Sequence, residues 1–200
     1  MIMCIVRHGD KVNGEFYNET LRHQDSPLND NGLKKAEKLC DYFEQRNYKK
    51  ILVSEYIRTE QTARFLAQKK GIQVSIDKRL NEIDNGYIES MSEDEIKIEY
   101  PDFFYDFTSY SKDIRFPGGE TGEEVKLRQK ELIDELLKQN EDVILFSHEG
   151  YIRLLMCHVL HLPVYQRNLF KVDFCGISEF EYNPDLKIWK VLKFNQTLET

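Results

Sequence analysis

The chain has 200 residues with 28 Lys and Arg against 35 Asp and Glu, for a net charge of −7, and 32% of its residues are charged. That length suits one domain with a sizeable core, and no apolar stretch approaches the roughly 20 residues of a membrane span. The acidic balance opposes wholesale binding to nucleic acid or acidic membranes. The start lacks the basic segment and apolar core of a secretory leader, and Cys4, Cys40, Cys157 and Cys175 have neither zinc nor redox spacing, so a cytoplasmic protein with small reduced core cysteines is expected.

In chain order, the apolar run Ile2-Met3-Cys4-Ile5-Val6 predicts a buried strand over 2–6 that ends in Arg7-His8-Gly9. A helix follows over about 30–45, with Leu33, Ala36, Leu39, Cys40 and Phe43 on one face and Asn29 or Asp30 as its cap. Ile51-Leu52-Val53 is a second strand, followed by a helix over about 55–70 with Ser54 as N-cap and Gly71 as stop. Ile72, Val74 and Ile76 then alternate as a strand.

Residues 84–117 break this rhythm and read as an insertion over the sheet. Within it a short helix is expected over 92–99, with Ser92 and Glu95 as capping box and Pro101 as stop. The aromatic residues Phe103, Phe104, Tyr105, Phe107 and Tyr110 follow, with packing as their main role and a share in specificity. Thr121 and Glu124 form a second capping box ahead of a helix carrying Val125, Leu132, Ile133, Leu136 and Leu137. The strand 143–147, a helix over about 150–161, and two strands over 177–182 and 188–194 complete the chain, the last pair joined by the turn signal Asn183-Pro184-Asp185. The expected fold is α/β: a three-layer α/β/α sandwich with a mostly parallel sheet, an antiparallel edge strand and a helical, aromatic insertion over the carboxyl edge.

Ligands of such sheets bind at the carboxyl ends of the strands. Val143-Ile144-Leu145-Phe146 ends in Ser147-His148, so two histidines occupy matching strand ends, and Arg58, one helical turn beyond Ser54, points back to the same edge. Two guanidinium groups and two imidazoles make a pocket for a dianion, phosphate above all. A neutral imidazole can attack phosphorus in line, and preset positive donors stabilise the charge that spreads over the phosphoryl oxygens.

The Arg7-His8-Gly9 triplet, Ser54 with Arg58 and Gln61-Thr62-Ala63, Leu80-Asn81-Glu82-Ile83-Asp84-Asn85-Gly86, Phe116-Pro117-Gly118-Gly119-Glu120-Thr121 and Ser147-His148-Glu149-Gly150 up to Arg153 stand in one order. Together they resemble the histidine phosphatase superfamily, in its phosphoglycerate-mutase-like family and phosphatase branch. The resemblance implies His8 as nucleophile, Glu82 as general acid and base, His148 as a catalytic group, and Arg7, Arg58 and His148 as phosphoryl ligands. His148 is expected to be protonated in the anionic site. No metal and no cofactor are implied.

Several positions depart from the family. Asp10-Lys11 follows the triplet where Glu-Thr is usual, Asn13-Gly14 is out of step with the family's auxiliary phosphate ligand, and Ser90 replaces a usual Gly. Glu149 is placed in the phosphate-binding set through its backbone N–H, while its carboxylate is expected to repel highly anionic substrates. Glu120 and Thr121 match the family, but a helix cap explains Thr121, and Arg153 has at least as strong a structural reading. His23, in a polar loop, and His158 and His161, at a helix end, are weaker candidates.

The departures and the short form favour a phosphomonoester hydrolase of the histidine acid phosphatase type, acting on a small phosphorylated metabolite or a phosphopeptide, as monomer or homodimer. A phosphoglycerate-mutase-type phosphotransferase and a noncatalytic phosphate-binding module are the alternatives. The module has no use for an acid beside a nucleophile. A zinc hydrolase built on His8, His148 and Glu82 is opposed by two arginines that repel a cation.

Overall fold

The computed structural model describes residues 1–198. Its main sheet is built from β1 (Ile2–Arg7), β4 (Lys50–Val53), β5 (Val74–Ile76), β6 (Val143–Ser147), β7 (Ile177–Asn183) and β8 (Ile188–Gln196), with β2 (Tyr17–Asn18) and β3 (His23–Gln24) forming a separate hairpin. The order is β5-β4-β6-β1-β7-β8, parallel from β5 through β1. Both terminal strands are antiparallel, because β7 pairs antiparallel with β1 and β8 with β7. The Asn183-Pro184-Asp185 turn thus joins the two expected strands as an antiparallel hairpin at the sheet edge.

The helices are α1 (Asp30–Phe43), α2 (Ile57–Lys70), α3 (Glu93–Glu99), α4 (Pro101–Ser109), α5 (Gly122–Gln139) and α6 (Glu149–Val159). Alternation along the strands sorts the core. Met3, Ile5, Leu52, Val143 and Leu145 pack with residues of α5 and α6, whereas Cys4, Val6, Ile51, Val53, Ile144 and Phe146 pack with residues of α1 and α2. Helices on both faces explain why these strands read as unbroken apolar runs. Each such side chain removed from water contributes about 1.5–3 kcal/mol. The four cysteines are free and buried within this packing. Among the described residues no helix is long and apolar enough to cross a membrane.

Local signals set most boundaries. The Asn29 side chain accepts from Gly32 N–H at 2.9 Å, Gly71 closes α2 at φ 64°, and both capping boxes form. Helix α3 ends at Glu99, ahead of Pro101 as expected, and Pro101 then starts α4, because a proline at the first helical position gives up an N–H that the helix does not use. One expectation fails. Ser54 does not cap α2, which begins at Ile57 with Tyr56 as N-cap. The Glu55 N–H is instead drawn to Asn81 Oδ1, and the Ser54 hydroxyl faces the carboxyl edge of the sheet.

In the insertion, Phe103, Phe107 and Phe116 pack on one another with ring centroids 5.3–5.7 Å apart, while Tyr105 and Tyr110 are exposed. The aromatic cluster is thus split between packing and surface.

Candidate active site

Strand register brings the two histidines together. Arg7 lies opposite Ser147 in the parallel β1–β6 ladder, and His8 N–H donates to the Ser147 carbonyl at 2.9 Å. The imidazoles that follow have ring centroids 5.2 Å apart, and both are buried. His8 Nδ1 lies 2.8 Å from the Gly9 carbonyl. A carbonyl only accepts, so Nδ1 holds the proton and Nε2 keeps its lone pair. Helix α2 fixes this turn: Gly9 N–H donates to Thr62 Oγ1, whose hydroxyl donates to the Arg58 carbonyl.

His148 Nε2 lies 2.8 Å from Ser54 Oγ, while its Nδ1 is buried without a partner among the described residues. Burial, reinforced by the Arg58 charge, holds both imidazoles well below the ordinary histidine range. The expected protonated His148 is therefore corrected for the site as described. Its neutral form is favoured, because burial and the charges of Arg58, Arg128 and Arg7 all oppose protonation.

Arg7 and Arg58 flank the pair. Arg7 Nη1 donates to the Val172 carbonyl at 2.6 Å and its guanidinium lies 4.0 Å from the Phe174 ring centroid, with that ring 5.6 Å from His8. Arg58 Nη1 donates to the Gln24 carbonyl at 3.2 Å and stands 3.7 Å from Asp25 Oδ1, with its guanidinium 4.2 Å over Tyr56. Nε of each arginine is buried without a partner among the described residues.

Glu82 reaches this edge from the segment after β5. Its Oε1 accepts from Ile83 and Tyr151 N–H at 2.9 Å, and Oε2 from Gly150 N–H at 3.1 Å, so the carboxylate sits at the amino end of α6. Both arginines and Lys11 feel its charge. Gly150 makes room for this contact, since a Cβ there would lie 2.7 Å from Glu82 Oε1. Gly150→Ala is expected to displace Glu82, costing about 1–3 kcal/mol of stability together with most of the activity. Thermal denaturation and steady-state assays of the variant check this.

Glu149 is placed differently from a phosphate ligand. Its carboxylate pairs with Arg7 Nη2 at 2.8 Å and with Arg153 on the next turn of α6, so the side chain holds the two guanidinium groups. Only its backbone N–H, at the first position of α6, is left to meet an anion.

Three groups that were assigned no site role from sequence have contacts there. Tyr56 lies between Arg58 and His148, with its ring 4.8 Å from that of His148. Ser54, read as a cap, instead meets His148. His23, set aside as a loop residue, joins the hairpin to the insertion: Nδ1 is 2.8 Å from Glu89 Oε2 and Nε2 3.5 Å from Asp84 Oδ1. Only the position of Ser54 at the end of β4 carried a signal. Ser54→Ala is expected to leave the buried His148 Nε2 unpaired and to destabilise the protein by about 1–3 kcal/mol, measured by denaturant titration.

A mostly parallel sheet whose carboxyl edge gathers two histidines and two arginines, with helices on both faces, defines a fold of the histidine phosphatase class. The chain belongs to the histidine phosphatase superfamily (branch 1), whose family model matches residues 3–197. It is 30% identical over 183 residues to a protein of Enterobacter sp. (strain 638) named "Probable phosphoglycerate mutase GpmB", covering 89% of this chain and 83% of that one. Among solved structures, a mycobacterial glucosyl-3-phosphoglycerate phosphatase in complex with inorganic phosphate superposes with a TM-score of 0.83 at 21% identity, covering 98% and 97% of the two chains. The alpha-ribazole phosphatase from Shigella flexneri gives 0.82 at 22% identity over 100% of both. At these identities the structural matches establish the fold.

Proposed function

We propose that the chain is a metal-independent phosphomonoester hydrolase that works through a phosphohistidine on His8. One observation carries the reading. Arg7 Nε, Arg58 Nε and His148 Nδ1 are buried without hydrogen-bond partners among the described residues, and they belong to the two arginines whose charge acts on His8 and to the imidazole 5.2 Å from its ring. Such groups are costly to bury unless a ligand satisfies them, and a tetrahedral dianion has the oxygens to do so.

In the first half-reaction His8 Nε2 attacks phosphorus, the N–P bond forms, and the ester P–O bond breaks. The departing alkoxide takes a proton from the Glu82 carboxyl group. Oε2, which holds one N–H where Oε1 holds two, is the oxygen with room for that proton. In the second half, water attacks phosphorus and gives its proton to Glu82, the N–P bond breaks, and its electron pair returns to Nε2. Arg7, Arg58 and His148 hold the phosphoryl oxygens throughout. A proton on His148 Nδ1, with Nε2 accepting from the Ser54 hydroxyl, gives a third donor.

The substrate is a small phosphorylated metabolite or a phosphopeptide. Phosphate release from p-nitrophenyl phosphate in excess chelator tests the reading, and activity that vanishes with chelator contradicts it. Transfer to a second alcohol in place of water is the second reading, favoured by the mutase names of the sequence relatives. A phosphoenzyme discharged faster by added phosphoglycerate than by water would select it.

The buried imidazoles also predict the response to acid. His8, His148 and His158 are held below the ordinary value of 6.5, whereas Glu89 raises His23. For the first three, the unfolded chain binds protons that the folded one refuses, so stability falls as pH drops below 6.5 toward their folded values. His23 acts in the opposite sense. Its contribution is present below its unfolded value and lost as pH rises through its folded one. Three groups against one predict a lower unfolding midpoint at about pH 5.5 than at about pH 7, and a rising midpoint would contradict the assignment of neutral buried histidines.

A further inference from the structure

A cavity of about 430 Å³ opens beside Glu82, within the size range of small-ligand pockets. Tyr56 shares its wall, and the same ring contacts Arg58 and His148, so the cavity adjoins the phosphoryl site on the side of the proton donor. An alcohol leaving His8-bound phosphorus must come within reach of Glu82, and this cavity is a space that Glu82 lines.

Charge in that space is unbalanced. Arg128 is engaged by Glu120, and Arg79 by Asp77 and Glu135, neither of which lines the cavity. Left on the wall, apart from Glu82, which carries the proton for the leaving group, are the carboxylates of Glu55, Asp84 and Glu131, facing Lys78 and the imidazole of His23. His23 is itself shared with Glu89, outside the cavity. At the far side of the site, Glu149 already occupies Arg7 Nη2. A second anionic group on the substrate therefore meets no unspent guanidinium here, and several carboxylates.

We propose that this cavity receives the alcohol half of the phosphomonoester, and that its surplus of carboxylate selects a hydroxyl-bearing alcohol without negative charge over one that carries a carboxylate or a second phosphate. The assignment rests on the hydrolase reading above. The Tyr56 phenol, kept protonated by burial, is a neutral donor on this wall for a substrate hydroxyl.

The test compares kcat/KM for glycerol 3-phosphate and 3-phosphoglycerate, with p-nitrophenyl phosphate as the measure of hydrolysis itself. At low ionic strength glycerol 3-phosphate is expected to be preferred by at least about tenfold, and the preference narrows as salt screens the wall. Reversing exposed rim charges in the double variant Glu55→Lys, Glu131→Lys is expected to narrow it by at least about threefold at low salt. Calorimetric binding of both esters to His8→Ala repeats the comparison without turnover. If no ester is hydrolysed, the hydrolase reading fails, while the order of affinities still decides the cavity. Equal or reversed preference, or no binding of either ester, overturns the assignment.

Discussion

His8→Ala is expected to lower turnover of p-nitrophenyl phosphate by at least about 10⁴-fold, without loss of the fold. The reason lies in how narrowly the structure equips this one nitrogen. The Gly9 carbonyl accepts from Nδ1–H, β1 and β6 fix the backbone on which the ring stands, and burial keeps the imidazole neutral at pH values where an exposed one would be charged. A neutral, correctly protonated imidazole has no substitute among the neighbours, because His148 Nε2 is committed to Ser54 and the remaining groups are guanidiniums, carboxylates and hydroxyls, none of them a neutral nitrogen base. The side chain makes one hydrogen bond, to a carbonyl one residue away, so its removal is expected to lower stability by about 1–3 kcal/mol. Circular dichroism and the unfolding midpoint separate that loss from the loss of chemistry. Retention of more than about one hundredth of the native rate would exclude His8 as the obligatory nucleophile.

Glu82→Gln is the second large effect, and its signature is a dependence on the leaving group. For an alkyl phosphate the departing alkoxide needs a proton, so kcat/KM is expected to fall about 10²–10⁴-fold. For p-nitrophenyl phosphate, whose phenolate leaves unaided, the fall should be at least tenfold smaller. The substitution also has a structural effect. An amide nitrogen at Oε2 would face the Gly150 N–H, donor against donor, and loosen the carboxylate's hold on α6. That disturbance acts on both substrates alike, so the ratio between them isolates proton transfer. Equal losses would assign Glu82 to positioning α6 and leave the proton donor to another group.

Much of this site was legible before any coordinates. The apolar runs before Arg7 and before Ser147 read as strands because both sheet faces are covered, and parallel pairing then brings His8 to His148. Arg58 followed from one helical turn beyond a strand end. The caps at Asn29, Ser92 and Thr121 depend on neighbours within three residues, so local sequence suffices for them. What remained hidden depends on distant partners. Ser54 looks like a cap until His148, from the other strand, is set beside it. The Glu149 carboxylate looks free to repel an anionic substrate until Arg7 and Arg153 engage it from two sides. His23 acquires a role only through Glu89, which belongs to an insertion whose fold over the hairpin no local pattern encodes. Gly150 reads as a small residue in a helix, and its reason, room for the Glu82 carboxylate, comes from a segment far away in the chain.

Desolvation was the other unread quantity. The sequence places His148 among expected anions and suggests a charged imidazole, whereas its full burial and the nearby Arg58 favour the neutral ring. Under the proposed reading the anion is met by guanidinium charge, while neutral His8 keeps a lone pair for chemistry and neutral His148 serves as a hydrogen-bond donor.

The most direct test of the phosphohistidine route is rapid mixing of the protein with p-nitrophenyl phosphate in excess chelator, quenching in base, and peptide mapping by mass spectrometry. One phosphoryl group on the peptide that contains His8, stable in base, labile in acid, absent from His8→Ala and formed at least as fast as turnover, is the predicted result. Turnover without a trapped phosphopeptide, or with the phosphoryl group on another residue, would contradict it.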